Sequence, residues 1–262
     1  MSKLTQNQAR LVRNIARLGA LTTRRVVEQY GPKPSWKRLL DEKYLREVQT
    51  VYGPVLGLHG EAYEVYRTRP EFETLPYLKA PSSLADRAFQ MDALRVLQAE
   101  GYQVAKARYK RGSRISPGQY TSQLTSLILR VPPAMAEDLA EYGNAVKPYD
   151  DESHRRFMDQ RGYPRLYASI SGGGIKLAQL KKLLKEHEWS MSFWGHPLLI
   201  AVPEDHELRP YLRAVEAKRK QLRESMERDE LRSKGYVSRQ VPSIPRVRLI
   251  ELPMPKLTTG RG

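Results

Sequence analysis

The first twenty residues of the chain carry the period of an amphipathic helix. Apolar residues recur at helical spacing between residues 4 and 19, which predicts a helix with one buried side. Thr5 precedes Gln8 by three residues, the spacing of a capping box. Gly19 follows the last apolar residue and predicts the end of the helix there.

Two more helices and a β-hairpin are predicted in the next fifty residues. In chain order they are a helix from Thr22 or Thr23 to Tyr30, a helix from Ser35, strands over 45–51 and 55–58, and a strand or short helix over 59–66. Tyr52, Gly53 and Pro54 form the turn between the two strands. Three short helices followed by a hairpin are the order of a winged helix, with the second and third helices as the helix-turn-helix and the hairpin as the wing.

The remaining two thirds of the chain predict an α/β domain. Residues 165–170 are predicted as a strand and Ser171-Gly172-Gly173-Gly174 as a tight turn. Residues 175–188 are amphipathic at helical spacing, and residues 194–202 are predicted as a second strand. This βαβ unit favours a parallel strand pair. A long helix follows up to about residue 232, and a proline-containing segment with a β-prone run at 247–252 ends the chain.

The fold class predicted from these patterns is α+β, with an N-terminal winged helix, a small α/β domain, a long helix and an extended C-terminal arm. The predicted divisions are a DNA-binding domain over 1–70, a linker over 71–83, the α/β domain over 84–232 and the basic arm over 233–262.

Composition narrows the classes of function. The chain of 262 residues has a net charge of +16 and no cysteine. The missing cysteines exclude disulfides, cysteine nucleophiles and cysteine-ligated metal centres. No apolar run approaches the length of a membrane span, and the N-terminus lacks the apolar core of a signal peptide, so we expect a soluble, cytoplasmic, nucleoid-associated protein without a membrane partner.

The positive charge is unevenly distributed. Residues 1–70 carry a net charge of +7, residues 71–130 carry +4, residues 131–200 are neutral and residues 201–262 carry +5. A basic excess on a predicted winged helix favours double-stranded DNA as the partner. The arginine excess over lysine, 29 against 16, suits phosphate and base recognition, although a GC-rich genome explains it equally well.

Candidate DNA contacts lie at the starts of the second and third helices, at the wing and in a basic loop. The residues are Thr22, Thr23, Arg24, Arg25, Ser35, Trp36, Lys37, Arg38, Lys43, His59, Lys110, Arg111 and Arg114. Helix N-termini offer N–H donors to phosphates, and a short basic helix fits the major groove. For Trp36 packing in the core is the competing interpretation, and for the charged helix starts it is a solvated face.

Chemistry other than DNA binding is weakly indicated. The glycines at 172–174 match neither common phosphate-loop spacing, and a tight turn explains them. The five histidines form no metal-binding pair, so no metal and no cofactor is expected. Asp92, or the acidic run Asp150, Asp151, Glu152 and Asp159, would have to serve a nuclease.

The first seventy residues resemble the winged helix of the replication-relaxation proteins of plasmids and other mobile elements. Leu21-Thr22-Thr23-Arg24 and Arg38-Leu39-Leu40 carry the resemblance, while residues 58–62 depart from the family's wing pattern. The resemblance continues weakly over 84–104, which is similar to the helix and strand that follow in the family, and over 166–202, which is similar to its restriction-endonuclease-like core. The strand at 167–171 lacks the acidic residues of that core, which implies a domain without catalysis.

The function predicted from the sequence is therefore non-catalytic DNA binding for a mobile element, in replication initiation, copy control or transcriptional regulation. A homodimer and contacts with the replication or transcription machinery are compatible with it. A metal-dependent nuclease or nicking protein and a protein-interaction adaptor are the alternatives.

Overall fold

The computed structural model describes residues 4–69, 78–106, 114–116, 119–120, 126–130, 164–194, 197–232 and 247–255. These residues form an α+β fold. N-terminal helices pack on a small antiparallel sheet of three strands, and a second sheet of five strands contains three parallel neighbours with interleaved helices. No helix within the described ranges has both the length and the apolar character needed to cross a membrane.

The first helix, α1, spans Gln6–Leu18 as its period predicts. The predicted capping box is present: the Gln8 backbone N–H donates to Thr5 Oγ1 at 3.2 Å, and the Thr5 N–H donates to Gln8 Oε1 at 3.1 Å. Leu11, Val12 and Ile15 are fully buried on the inner side. Local sequence and core packing therefore agree on this helix.

A three-residue strand that the pattern did not predict, β1 (Ala20–Thr22), joins α1 to α2 (Thr23–Tyr30). The next helix, α3, spans Lys33–Asp41 and so begins two residues before the predicted Ser35. Pro32 is its N-cap and Pro34 lies in its first turn, where the missing proline N–H costs no helical hydrogen bond.

The predicted hairpin is confirmed as β2 (Leu45–Thr50) and β3 (Gly53–Leu58), which leaves a two-residue turn at 51–52. β1 pairs antiparallel with β3, and the strand order is β1-β3-β2. Residues 60–67 form a helix, α4 (Gly60–Arg67), which decides between the two predicted alternatives for this stretch.

Helix α5 (Pro81–Ala99) begins three residues before the predicted start at residue 84 and packs against both sheets. It packs against β1, β2 and β3 of the first sheet and against β8 (Arg165–Ala168) of the second sheet. At Gly57 an added Cβ would lie 2.8 Å from Leu84 Cδ2, so a glycine lets the helix approach β3 closely. The buried apolar side chains of the N-terminal sheet, of α5 and of the second sheet form one continuous core.

The predicted βαβ unit is confirmed in the five-stranded sheet. β8 pairs parallel with β9 (Leu198–Pro203), and α6 (Leu177–Trp194) connects them. The sheet order is β10-β9-β8-β7-β4, with β4 at Gln103–Lys106 and β7 at Ser126–Arg130 in antiparallel pairing. A short hairpin of β5 (Arg114–Ser116) and β6 (Gln119–Tyr120) lies between β4 and β7 in the chain.

The predicted extended arm needs a correction. Residues Val247–Leu252 form β10, which pairs parallel with β9 after the long helix α7 (Arg209–Arg232). Val247, Leu249, Ile250 and Leu252 are buried there. The β-prone run is paired within this chain, so this part of the predicted arm belongs to the sheet, while residues 233–246 and 256–262 lie outside the described part.

Candidate nucleic-acid interface

Helix α3 separates an apolar inner side from a basic outer side. Trp36 and Leu39 are buried, whereas Lys33 and Lys37 are exposed and Arg38 is half-exposed. Lys33 Nζ forms an ion pair with Glu47 on β2, and Arg38 Nε lies 2.6 Å from Glu42 Oε1. The helical period places Lys33 and Lys37 on the same side, one turn apart.

Trp36 is a core residue. Its side chain is 1% exposed, and its indole N–H donates to the Gly31 carbonyl at 3.0 Å. A buried indole offers no surface to a base edge, so Trp36 is removed from the candidate contacts. Ser35 is exposed, and its hydroxyl donates to the Pro32 carbonyl at 2.6 Å, where it supports the start of α3.

The start of α2 holds three of the candidate residues near the surface. Thr22 is the N-cap, its Oγ1 accepting from the Arg25 N–H at 3.2 Å, and Thr23 Oγ1 donates to Glu47 at 3.3 Å. The Arg24 side chain is 87% exposed and lies 3.1 Å from Glu28 Oε1. Of the three, Arg24 is the residue best placed to meet a phosphate.

Arg25 is buried and joins α2 to α5. The residue is 8% exposed, and its Nη1 donates to the Met91 carbonyl at 2.7 Å and lies 3.6 Å from Asp92 Oδ1. Burial is the main cause that lowers the pKa of Arg25, with Asp92 acting in the opposite direction. Because the guanidinium is used inside the fold, Arg25 is removed from the candidate DNA contacts.

The turn of the predicted wing packs against helix α5. Tyr52 is buried, its ring meets Phe89 edge-to-face at 5.3 Å, and its hydroxyl donates to Asp92 Oδ2 at 3.0 Å. Burial and the neighbouring Asp92 raise the pKa of Tyr52 well above its usual range. The hairpin therefore does not project as a long wing, and Val51 is its exposed turn residue.

Asp92 provides a pH-dependent prediction. Burial raises its pKa against the lowering effects of Tyr52 and Arg25, so the native state holds this proton more tightly than the unfolded chain. Stability therefore falls as pH rises from the unfolded value of about 3.9 to the raised native value. We expect Asp92→Asn to flatten this part of the curve of unfolding free energy against pH, measured by urea denaturation.

The control is Asp41→Asn, which makes the same chemical change at an exposed carboxylate on α3. An Asp92→Asn protein with the same slope as the wild type would contradict the assigned cause.

Two further candidates lie at turns. Lys43 follows the C-cap residue of α3 and has a positive φ of 59°, and its Nζ lies 3.1 Å from Glu61 Oε1 on the surface. His59 follows β3 and is the N-cap of α4, where its Nδ1 accepts from the Glu61 N–H at 3.4 Å. His59 thus lies at the opposite end of the hairpin from its turn, which corrects its predicted place on the wing.

The basic loop and the acidic run fall largely outside the described residues. These are Lys110 and Arg111, and the acids at 150, 151, 152 and 159; Arg114 begins β5. Asp92, the other acid considered for a nuclease, is occupied by Tyr52 and Arg25. Over the described ranges no group of three histidine or acidic residues could hold a metal ion.

The turn at 171–174 is fastened by a carboxylate. Asp86 on α5 accepts from the N–H groups of Ile170 and Ser171 at 2.7 and 2.9 Å and from both serine hydroxyls, of Ser169 at 3.1 Å and of Ser171 at 2.6 Å. All three glycines at 172–174 have positive φ. These contacts support the tight-turn interpretation of the glycine run.

A cavity of about 300 Å³ lies beside the start of α2. Its walls come from four parts of the chain, namely the start of α2, the hairpin turn, the middle of α5 and the segment that follows β10. Arg24, Arg25 and Arg95 supply positive charge to it, and Glu28 and Asp92 supply negative charge. Arg95 and Glu28 carry no signal in the sequence that would mark them as site residues, because only the tertiary fold brings α2 and α5 together.

No family model, no curated protein and no solved structure matched this chain in the comparisons. The resemblance to replication-relaxation proteins therefore stays a prediction based on the quoted residues.

Proposed function

We propose that residues 4–67 form a winged-helix module that binds double-stranded DNA, with α3 as the helix that enters the major groove. The observation that carries this proposal is the basic outer side of α3, set on a scaffold with the winged-helix order of elements.

The order of elements supports the fold assignment. Helix, strand, two helices and a hairpin follow one another, and the first strand pairs with the second strand of the hairpin. In winged helices this arrangement presents the third helix to the groove. The winged-helix fold alone does not identify DNA as the partner. The charge of the exposed helix is therefore needed to distinguish DNA from a protein partner.

The charge of the module favours DNA. Lys33, Lys37 and Arg38 line the outer side of α3, and residues 1–70 carry a net charge of +7. Lys33 and Arg38 are balanced by Glu47 and Glu42, which leaves Lys37 as the cation of α3 without a described ion pair. Because exposed ion pairs contribute little free energy, a phosphate can replace the carboxylate at small cost.

The proposed role is non-catalytic, in replication initiation, copy control or transcriptional regulation for a mobile element. It depends on the resemblance of Leu21-Thr22-Thr23-Arg24 and Arg38-Leu39-Leu40 to replication-relaxation proteins. The short, docked hairpin turn gives α3, rather than a wing, the main share of the contacts.

An electrophoretic shift assay with random duplex DNA at two salt concentrations tests the proposal. We expect retarded complexes at low salt whose affinity falls steeply as salt rises, because each neutralised phosphate releases counterions. Binding of equal strength at both salt concentrations, or no retarded complex at low salt, would contradict the DNA-binding assignment.

A further inference from the structure

We propose that the cavity between α2, the hairpin turn, α5 and the segment after β10 binds a small organic oxyanion with an apolar body. The cavity shares Thr22 and Arg24 with the candidate DNA contacts, but its other lining residues lie outside α3, so the ligand and DNA binding are measured separately.

On the cationic side of the cavity, Arg24 and Arg95 have further N–H groups besides those that bind Glu28. Arg24 reaches Glu28 through Nε alone, and Arg95 reaches the other Glu28 oxygen at 3.2 Å through Nη1 alone. A guanidinium carries five N–H donors, so both arginines can bind an oxyanion while they keep Glu28. Both side chains are largely exposed, at 87% and 62%, so they can turn towards a ligand.

Inside the cavity the charge is incompletely balanced. Arg25, 8% exposed, also lines it, and the Arg25 Nε–H is buried with no hydrogen-bond partner. Three arginines face two carboxylates, which leaves a net charge of +1 around a concave, partly desolvated space. Such a place favours a phosphate or carboxylate group over a neutral or cationic one.

The opposite side of the cavity is apolar. It is formed by Pro54 from the hairpin, by Leu252 at the end of β10, and by Pro253, Met254 and Pro255 from the segment after β10. Met254 remains 39% exposed, so part of this wall is open to contact. A volume of about 300 Å³ suits a compact molecule with a ring or short aliphatic chain attached to the oxyanion.

Calorimetric titration of the full chain with phenyl phosphate tests the proposal, with benzoate as the carboxylate form and inorganic phosphate as the head group alone. We expect saturable binding of phenyl phosphate or benzoate that is stronger than that of inorganic phosphate. Which of the two aromatic ligands binds more tightly identifies the head group. Absence of saturable binding by both would overturn the proposal, as would equal binding of inorganic phosphate.

Two variants locate the binding. Arg95→Gln removes an exposed ion pair only, so the fold should persist, and we expect at least about tenfold weaker binding, the loss typical of a charge-assisted hydrogen bond. Met254→Gln should reduce the advantage of phenyl phosphate over inorganic phosphate. Arg13→Gln on the outer side of α1 is the matched control and should bind as the wild type does.

The DNA backbone is the other source of phosphate, and the Arg95→Gln protein separates the two. Under the proposal this substitution leaves the affinity for duplex DNA within about twofold of wild type, because Arg95 lies on α5 and is not among the candidate DNA contacts. An equal loss of duplex and phenyl phosphate binding would show that the cavity is a backbone contact and would overturn the proposal, as would an Arg95→Gln protein that binds phenyl phosphate normally. Failure of the wild type to bind DNA leaves the ligand measurements unaffected, so the two proposals fail separately.

Discussion

Reversing Lys37 and Arg38 to glutamate is expected to weaken binding to duplex DNA by at least about tenfold and to reduce its salt dependence. Both side chains lie on the outer side of α3, so the reversal places negative charge where phosphates would approach. Each lost phosphate contact lowers the slope of log affinity against log salt by about 0.9, so a loss of both lowers it by nearly 2. Electrophoretic shifts at several salt concentrations measure both effects.

The matched control reverses Lys181 and Lys185, two exposed lysines one turn apart on α6. This pair changes the net charge by the same amount and should retain most of the affinity. A folded Lys37→Glu, Arg38→Glu protein with wild-type affinity would contradict the role of α3. An equal loss in the control would instead indicate that overall charge, not α3, governs binding.

Phe89→Ala is expected to lower the free energy of unfolding by about 3–5 kcal/mol, the usual cost of removing a buried phenylalanine. Phe89 is fully buried on α5, and it holds the hairpin turn through its edge-to-face contact with Tyr52. Because the apolar core runs from the N-terminal sheet into the second sheet, both should unfold in the same transition. Urea denaturation followed by circular dichroism and by tryptophan fluorescence measures the loss and the coincidence of the curves.

Val96→Ala is the control on the same helix, because Val96 is exposed and its truncation should change stability by less than about 0.5 kcal/mol. Two separate transitions in the wild type, or a Phe89→Ala protein as stable as the wild type, would contradict a core shared by the two sheets.

Elements with a strong local signal were predictable from the sequence. The capping box fixes the start of α1, the alternating run at 45–51 and the turn after it identify the hairpin of β2 and β3, and the strand–glycine turn–helix–strand order identifies the parallel pair β8 and β9. In each of these elements the local conformational preference and the tertiary packing agree, so the sequence pattern alone was sufficient to predict the element.

Other elements depend on partners that are distant in the chain. β1 has three residues, too few for a readable period, and it exists because β3 offers it a neighbour. The β-prone run at 247–252 was visible, but its place beside β9 was not, because pairing across a long helix leaves no mark on local sequence.

The residues of the candidate interface also divide into those that the local sequence predicts and those that depend on distant partners. The helical period distinguishes the buried Trp36 and Leu39 from the exposed Lys37 once the limits of α3 are known. By contrast, Arg25 stands next to the exposed Arg24 in an equally basic sequence, and its burial is set by Met91 and Asp92, more than sixty residues further along. Neighbouring arginines therefore have different roles that composition and charge counts do not separate.

The position of β10 has a consequence for the growing chain. A ribosome completes β9 and α7 before it makes β10, so for that interval the sheet ends at β9, whose residues Leu198–Val202 are apolar throughout. A strand of this kind with an unpaired edge is a template for pairing with other chains. A chain that lacks the residues from 247 onward would therefore expose this edge of β9 to pairing with other chains.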